Sequence, residues 1–175
     1  PRGRWLAVAS SSGEMLIWDT SLATNAPARV KSFESLERAP VHRVAWHPRG
    51  VLVAGFTPGK IHLWHVAKGE LEVTWAGASR DLQFSPDGRR LGPVFDNTWA
   101  SLLEVAEGRV CTHAKGHPGK ITGAWWDASG RVFATTAEDG VRLWNRRGFE
   151  MAYLPEPGAR AAMIMDETRV VATTR

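Results

Sequence analysis

The sequence has little cysteine and no long apolar run. Cys111 is the single cysteine among 175 residues, so no disulfide and no cysteine-based metal site can form within the chain. Low cysteine content is typical of a reducing compartment, and we expect a cytoplasmic protein. The apolar runs are far shorter than the roughly 20 residues of a membrane-spanning helix, and no stretch behind Pro1 has the form of a signal peptide. We therefore expect no membrane partner.

Motifs for catalysis and cofactor binding are also missing. Five histidines occur singly along the chain: His42, His47, His62, His65 and His113. His62 and His65 fall on different faces of one predicted strand, because side chains alternate with a period of two, and this argues against a chelating pair. The sequence has no HExxH motif, phosphate-binding glycine pattern or nucleophile elbow. These absences predict a protein that is not an enzyme and has no catalytic residue, metal site or cofactor.

Positive charge is in slight excess. The 22 lysine and arginine residues against 18 aspartate and glutamate residues give a net charge of +4, which favours anionic partners. The basic residues are scattered, with adjacent pairs at Arg89–Arg90 and Arg146–Arg147. A nucleic-acid surface usually concentrates such residues in a stripe. The scatter favours ordinary solvated charge, and a basic nucleic-acid-binding surface stays as an alternative.

Tryptophan, in contrast, is abundant, and it recurs at a fixed interval. Nine tryptophans against one tyrosine indicate a repeated structural role, because each large indole needs a partner for its N–H. Two landmarks recur about every 40 residues, the spacing of a four-stranded propeller blade. The first landmark is an aromatic residue at the end of an apolar run, at Trp46, Phe84 and Trp126. The second landmark is the residue that ends a later apolar run, at Trp18, Trp64, Leu103 and Trp144.

The runs between these landmarks have the form of β-strands. Each is short, rich in Val, Ile, Leu, Phe and Trp, and bounded by Gly or Pro. The segment 85–88, Ser-Pro-Asp-Gly, predicts a turn, because Pro fixes φ, Asp bonds nearby backbone and Gly adopts the left-handed conformation. Asp139–Gly140 is a strong hairpin signal. The pattern predicts an all-β fold of four-stranded antiparallel blades.

The chain resembles the WD40-repeat β-propeller family. The resemblance rests on Gly116-His117, on Asp139-Gly140, on Leu143-Trp144-Asn145 and on the dipeptide Trp18-Asp19. It extends over nearly the whole chain, although His65 follows Trp64 where the family has aspartate, and Leu103 replaces the tryptophan. It implies a propeller with about three complete blades and two partial ones. The residues expected to close the blades are Trp18, Asp19, Trp64 and Leu103.

The repeats suggest a single propeller region over residues 1–175. It comprises a partial blade at 1–29, blade-length repeats at approximately 30–66, 67–105 and 106–145, and a partial blade at 146–175. Partial blades leave apolar edges unpaired, which favours a fragment of a larger ring whose remaining blades, in the same chain, would be its partners. The alternative is a small closed propeller in which the two ends form one mixed blade.

The resemblance also implies a hydrogen-bonded tetrad of His117, Thr135, Asp139 and Trp144. Imidazole, hydroxyl and indole groups that are half-buried each need a partner, and these four residues supply partners for one another. A His-Asp-Thr set also contains the groups of a nucleophilic site. We favour the structural role, because the spacing matches a network within a blade and threonine is a poor nucleophile without a dedicated base.

For function, the resemblance implies a non-catalytic scaffold for protein–protein interaction. The loops that precede the first strands and those between the second and third strands would lie on one face. Basic or histidine residues in the loops that precede the first strands suggest an acidic peptide as partner. The alternative is that these residues are ordinary solvated charge on surface loops. A propeller sensor or catalytic domain of a larger multidomain enzyme is a further alternative. The expected partner-binding residues are His42, Arg80, Lys120 and Arg160 on the first set and Pro58, Asn97 and Glu138 on the second.

Overall fold

The computed structural model describes residues 4–20, 28–34, 38–77, 82–96, 98–106, 109–159, 161–166 and 169–173. Over these residues the regular structure consists of β-strands, and every pairing is antiparallel. The strands belong to two compact units, Pro1–Ala78 and Ser79–Arg175. In each sheet, strands that follow one another in sequence are also neighbours in space.

The first unit contains a three-stranded sheet and a four-stranded sheet. The three-stranded sheet has the order β1-β2-β3, with β1 at Trp5–Ala9, β2 at Glu14–Asp19 and β3 at Ala28–Glu34. The four-stranded sheet has the order β4-β5-β6-β7, with β4 at Arg43–Trp46, β5 at Leu52–Thr57, β6 at Lys60–His65 and β7 at Glu70–Ala76.

The second unit contains two four-stranded sheets and a two-stranded sheet. The first of them runs through β8 at Gln83–Phe84, β9 at Arg90–Asp96, β10 at Trp99–Glu104 and β11 at Arg109–Lys115. The next runs through β12 at Gly123–Trp126, β13 at Val132–Ala137, β14 at Gly140–Asn145 and β15 at Glu150–Leu154. The two-stranded sheet pairs β16 at Ala161–Asp166 with β17 at Arg169–Thr173.

The predicted fold class is confirmed: the chain forms four-stranded antiparallel sheets of the propeller-blade type. The sequence repeats are offset from these sheets by one strand. The repeat at 30–66 begins within β3, and β3 pairs with β2 rather than with β4. The boundaries of the blade-length repeats and the single region over 1–175 stay predictions.

In each of the three four-stranded sheets, the turn between the first and second strands is stabilised by the side chain of the first residue of the turn. Three different residue types supply an acceptor there, so the turn depends on the acceptor rather than on one residue type. The glycine that ends each turn has a left-handed φ of 70° at Gly50, 74° at Gly88 and 71° at Gly130. The acceptors are His47 Nδ1 for the N–H of Arg49 (3.1 Å), Ser85 Oγ for that of Arg90 (3.0 Å) and Asp127 Oδ1 for that of Val132 (2.9 Å).

A β-bulge recurs at one position in four sheets. In each of them, the pairing between the outer strand and the strand next to it shifts register immediately before the residue at the second sequence landmark. An extra residue on the outer strand increases the local twist and can redirect a side chain. The shifts lie at Ile17/Trp18, Leu63/Trp64, Leu102/Leu103 and Leu143/Trp144. The bulge is present even where leucine replaces tryptophan.

Two apolar clusters show where the sheets of each unit pack. In the first unit, Met15 and Ile17 of β2 pack with Phe33 of β3, Val53 of β5 and Trp64 of β6. In the second unit, a cluster of buried residues joins the β8–β11 sheet to the β12–β15 sheet. Its members are Ala100, Leu102, Ala114, Ile121, Ala124, Phe133 and Trp144. Neighbouring sheets within each unit are therefore held together by apolar burial.

Candidate functional site

The residues of the expected tetrad are joined by hydrogen bonds in the β12–β15 sheet. Thr135 on β13 and Trp144 on β14 lie on neighbouring strands, His117 lies in the segment before β12, and Asp139 lies in the hairpin between β13 and β14. Trp144 Nε1–H donates to Thr135 Oγ1 at 2.7 Å. His117 Nε2 lies 2.7 Å from Thr135 Oγ1, and His117 Nδ1 lies 2.6 Å from Asp139 Oδ1. The chain of bonds ties the incoming loop to the hairpin at the same end of the sheet.

His117 is neutral in this arrangement. Burial lowers its pKa below the ordinary value, although the Asp139 carboxylate acts in the opposite direction. A neutral imidazole with the proton on Nδ1 donates to Asp139 and accepts the Thr135 hydroxyl proton at Nε2. The Thr135 oxygen then accepts the indole N–H of Trp144. Protonating Nε2 would leave the Thr135 hydroxyl proton without an acceptor in a buried site.

Asp139 has a second ionic partner on β14. Its Oδ2 lies 3.0 Å from the guanidinium of Arg142, which in turn lies 2.6 Å from Glu150 Oε2. Arg142 stacks on the ring of Tyr153 at 4.2 Å, and the Tyr153 hydroxyl donates to the Asp139 carbonyl at 2.8 Å. Burial alone would raise the pKa of Asp139, but the hydrogen bonds from His117 and Arg142 bring it below its ordinary value. Asp139 is therefore a carboxylate at neutral pH.

Thr135, His117 and Asp139 have the connectivity of a nucleophile, base and acid chain. However, Thr135 is 0% exposed, and its oxygen already accepts the N–H of Trp144. Trp144 is 1% exposed, and it packs against Phe133 with ring centroids 6.4 Å apart. A substrate carbonyl cannot approach the hydroxyl without displacing this packing. The chemistry that the arrangement performs is therefore the mutual satisfaction of buried polar groups.

The β4–β7 sheet has a different polar network. Gly55 occupies the cross-strand position that Thr135 occupies in β12–β15, so no hydroxyl is present beneath Trp64. A Cβ on Gly55 would lie 2.9 Å from the Trp64 ring, which shows that the indole fills this space. The buried His62 instead lies 3.1 Å from Thr57 Oγ1 and 3.0 Å from Thr74 Oγ1. Sequence analysis noted His62 only as a single histidine.

The other residues expected to close blades are found near the ends of β2, β6 and β10. Trp64 and Leu103 are buried, at 3% and 1% exposure. Trp18 is half-buried on β2, and the neighbouring Asp19 accepts hydrogen bonds from Arg4 at 3.2 and 3.0 Å. Asp19 therefore holds a residue of the preceding segment against the strand end.

The residues expected to bind a partner are only partly within the described structure. His42 and Pro58 are exposed at one end of the β4–β7 sheet, and Lys120 and Glu138 are exposed at the corresponding end of the β12–β15 sheet. Arg80, Asn97 and Arg160 lie outside the described residues. The placement of a partner on these loops therefore stays a prediction.

A cleft that sequence analysis did not predict lies at the opposite end of the β12–β15 sheet. It has a volume of about 460 Å³ and is formed by the β12–β13 loop, the β14–β15 loop and β15. The lining residues are Arg131, Val132, Asn145, Arg146, Arg147 and Met151. The adjacent pair Arg146–Arg147 was visible in the sequence, but Arg131 joins it only through the pairing of β13 with β14.

Among the described residues, no group of three or more His, Cys, Asp and Glu side chains is placed to bind a metal ion. Within the same residues, no helix has the length and apolar character needed to span a membrane.

Comparison with known proteins identifies one repeat directly. Residues 108–145 match the WD40 family, described as WD domain, G-beta repeat. This segment contains all four tetrad residues, from His117 to Trp144.

Three longer proteins are similar to most of this chain. Transcriptional corepressor LEUNIG_HOMOLOG of Arabidopsis thaliana is 26% identical over 83% of this chain and 18% of its own length. The periodic tryptophan protein 2 homolog of Neurospora crassa is 26% identical over 95% of the chain and 19% of its own length. WD repeat-containing protein 55 of Pongo abelii is 28% identical over 70% of the chain and 35% of its own length. The chain thus spans about a fifth to a third of these proteins.

Proposed function

Because this chain belongs to the WD40-repeat family, we propose that it is a non-catalytic scaffold for protein–protein interaction. The observation that carries the proposal is the buried tetrad of His117, Thr135, Asp139 and Trp144, which fixes two loops at one end of a sheet. A surface whose loops are fixed in advance binds with less loss of conformational entropy. A scaffold requires such a surface.

The tetrad has a structural role in this proposal. It connects the segment before β12 with the β13–β14 hairpin, and the Arg142–Glu150 pair extends the network to β15. Gly140 supports the same hairpin, because with φ of 138° it lies so close to Leu154 that a Cβ would overlap the Leu154 carbonyl oxygen. All four strands of the sheet, or the loops next to them, are thus linked.

The absence of catalysis is supported by occlusion of the single hydroxyl–imidazole–carboxylate chain in the described residues. Thr135 is enclosed, and its two hydrogen-bonding roles are used by Trp144 and His117. A catalytic hydroxyl must instead be reachable by substrate. For this scaffold we further propose a cytoplasmic location, which the low cysteine content supports.

The loops that carry His42 and Pro58 on one sheet, and those that carry Lys120 and Glu138 on another, are each proposed to contact an acidic protein segment. His42 and Lys120 precede the first strands of their sheets, and both are exposed. Exposed basic side chains at equivalent loops favour negatively charged partners. In this proposal the residues Arg80 and Arg160 would contribute at the corresponding loops of other repeats.

The proposal is tested with the full-length protein, tagged and purified from its own cells after mild crosslinking. We expect proteins to co-purify in near-stoichiometric amounts and to be reduced when Lys120→Glu is combined with His42→Glu. Recovery of the protein alone, with no stoichiometric protein partner, would overturn the scaffold function. Retention of all partners by the double variant would leave the scaffold in place and refute the proposed surface.

A further inference from the structure

The cleft at the other end of the β12–β15 sheet concentrates positive charge. Arg131, Arg146 and Arg147 line a volume of about 460 Å³. Arg146 and Arg147 are exposed, and among the described residues neither guanidinium forms an ion pair. Arginine presents several donors in a planar arrangement that suits carboxylates. The cleft therefore offers two cationic groups to an anionic ligand.

The loop that carries these arginines is fixed before any ligand arrives. Asn145 Oδ1 accepts the N–H of Arg147 at 2.8 Å and that of Phe149 at 3.2 Å. The N–H of Arg146 donates to the carbonyl of Arg131 at 3.0 Å. Because these bonds set the backbone, the loop loses little backbone conformational entropy when a ligand binds.

The neighbouring sheet supports the same loop. Thr112 Oγ1 donates to the carbonyl of Arg146 at 3.3 Å. Gly148 has φ of 82°, and a Cβ there would lie 2.6 Å from the carbonyl oxygen of His113. The loop is therefore packed closely against β11, and its arginines extend from a rigid base.

An exposed apolar stripe continues from the cleft along the outer strand. Phe149 is 65% exposed, Met151 is 51% exposed and Tyr153 is 40% exposed. Met151 also lines the cleft, and it occupies the bulge opposite Leu143 and Trp144. Large apolar side chains that are exposed on β15 and at the residue before it indicate a surface that a partner covers.

The β4–β7 sheet lacks this combination of arginines and exposed apolar residues. The N–H of Val66 donates to the carbonyl of Val51, in the place where Arg146 donates to Arg131. The outer strand β7 has Glu70 and Glu72 where β15 and its approach have Phe149 and Met151. The equivalent region therefore has apolar residues in place of two arginines and acids in place of the apolar stripe.

We propose that the cleft binds an acidic segment of a partner protein that also carries an apolar side chain. Carboxylates of the segment pair with Arg146 and Arg147, and the apolar side chain covers Met151 and Phe149. This inference rests on the scaffold function proposed above and adds a second surface with its own partner chemistry. A peptide fits better than a nucleic acid, because the arginines are confined to one short cleft rather than distributed along a phosphate-tracking stripe.

The test measures fluorescence anisotropy of labelled probes with the full-length protein. The probes are a short peptide of glutamate and leucine, the same peptide with serine for leucine, the same peptide with lysine for glutamate, and a single-stranded RNA of mixed sequence. We expect the glutamate–leucine peptide to bind most tightly. Its affinity should fall at high salt, because salt screens the attraction between the arginines and the carboxylates.

The variant Arg146→Glu/Arg147→Glu should weaken binding of the glutamate–leucine peptide by about tenfold or more. Arg146→Lys/Arg147→Lys should retain most of the binding, because it keeps the charge. The control is Ala67→Glu/Lys68→Glu, which places two glutamates on exposed positions of the equivalent loop of β4–β7 and should leave affinity unchanged. Phe149→Glu/Met151→Glu, which copies Glu70 and Glu72, should weaken binding and abolish the preference for leucine over serine.

The outcomes separate this inference from the scaffold function. Equal binding by the wild type and the Arg146→Glu/Arg147→Glu variant, or tighter binding of the RNA than of the peptide, would overturn the cleft proposal. If proteins still co-purify with that variant in undiminished amounts, the scaffold stands and the cleft is refuted. If no protein co-purifies with the wild type, the scaffold function itself fails.

Discussion

The sheets β4–β7 and β12–β15 share a backbone plan and differ in how they satisfy buried polar groups. In both, the third strand ends in a buried tryptophan that follows a bulge in the outer strand. In β12–β15 the indole N–H is bonded to Thr135, whereas in β4–β7 the corresponding position is Gly55. The buried tryptophan and the bulge are therefore present with or without the tetrad, and the tetrad is an addition that fixes loops on one sheet.

Removing the hydroxyl of the tetrad should have the largest effect. Thr135→Val preserves the shape of the side chain but leaves the N–H of Trp144 and the Nε2 of His117 without their partner in a buried site. Each such group costs about 1–3 kcal/mol, so we expect the free energy of unfolding to fall by about 3 kcal/mol. Thr135→Ser is the control and should lose less than half of that, because it retains the hydroxyl. Urea denaturation measures both.

Two glycines allow the effect of close packing on stability to be separated from that of backbone strain. Gly148 and Gly59 both have left-handed φ, 82° and 79°, but a Cβ contacts backbone only at Gly148. Gly148→Ala should therefore cost about 2 kcal/mol or more, and Gly59→Ala about 1 kcal/mol. Thermal unfolding of the two variants tests this. Equal losses would show that the loop at Gly148 relaxes away from β11.

The two ion pairs that reach the outer strands should differ in strength. Arg142 contacts both Asp139 and Glu150 and has 15% of its side chain exposed, whereas Lys68 contacts Glu72 with 57% exposed. Arg142→Met should lower the free energy of unfolding by about 1–2 kcal/mol, and Lys68→Met by less than about 0.5 kcal/mol. The comparison fails if the lysine variant loses as much as the arginine variant.

The pH dependence of stability should be the smallest effect and should also come from the β12–β15 sheet. Burial lowers the pKa of His117 in the folded state, so the unfolded chain takes up a proton first as the pH falls. The stabilisation is therefore complete above the unfolded-state pKa near 6.5 and declines as the pH drops below it.

The measurement is the urea midpoint between about pH 7.5 and about pH 5.5 for the wild type and for His117→Gln. The variant should be less stable throughout and should show a shallower decline in acid. Parallel curves for the two proteins would mean that His117 contributes nothing to the pH dependence.

The fold was predictable from sequence because its signal is periodic. Trp46, Phe84 and Trp126 recur at the blade spacing, and the turns after them contain Gly at the position that needs left-handed φ. The period also survived the replacement of tryptophan by Leu103, since the strand-closing position requires an apolar side chain at the bulge rather than an indole.

The interactions between strands were less predictable. Arg142, Glu150 and Tyr153 join the tetrad through cross-strand register, and the bulge before Trp144 shifts that register by one residue. The hydrogen bonds of His62 with Thr57 and Thr74 also depend on cross-strand register. The arginine cleft needs Arg131 beside Arg146, which depends on the pairing of β13 with β14. Spacing along the chain carries no signal for such contacts.

The most direct test of the structural tetrad is a double-mutant cycle between Thr135→Val and Trp144→Phe, read as the free energy of unfolding. Removing the donor and the acceptor together leaves fewer unpaired groups than the two single changes imply. We expect the double variant to be more stable than additivity predicts by about 1 kcal/mol or more. Additive losses would contradict the account, because they would show that the Trp144–Thr135 hydrogen bond does not stabilise the sheet.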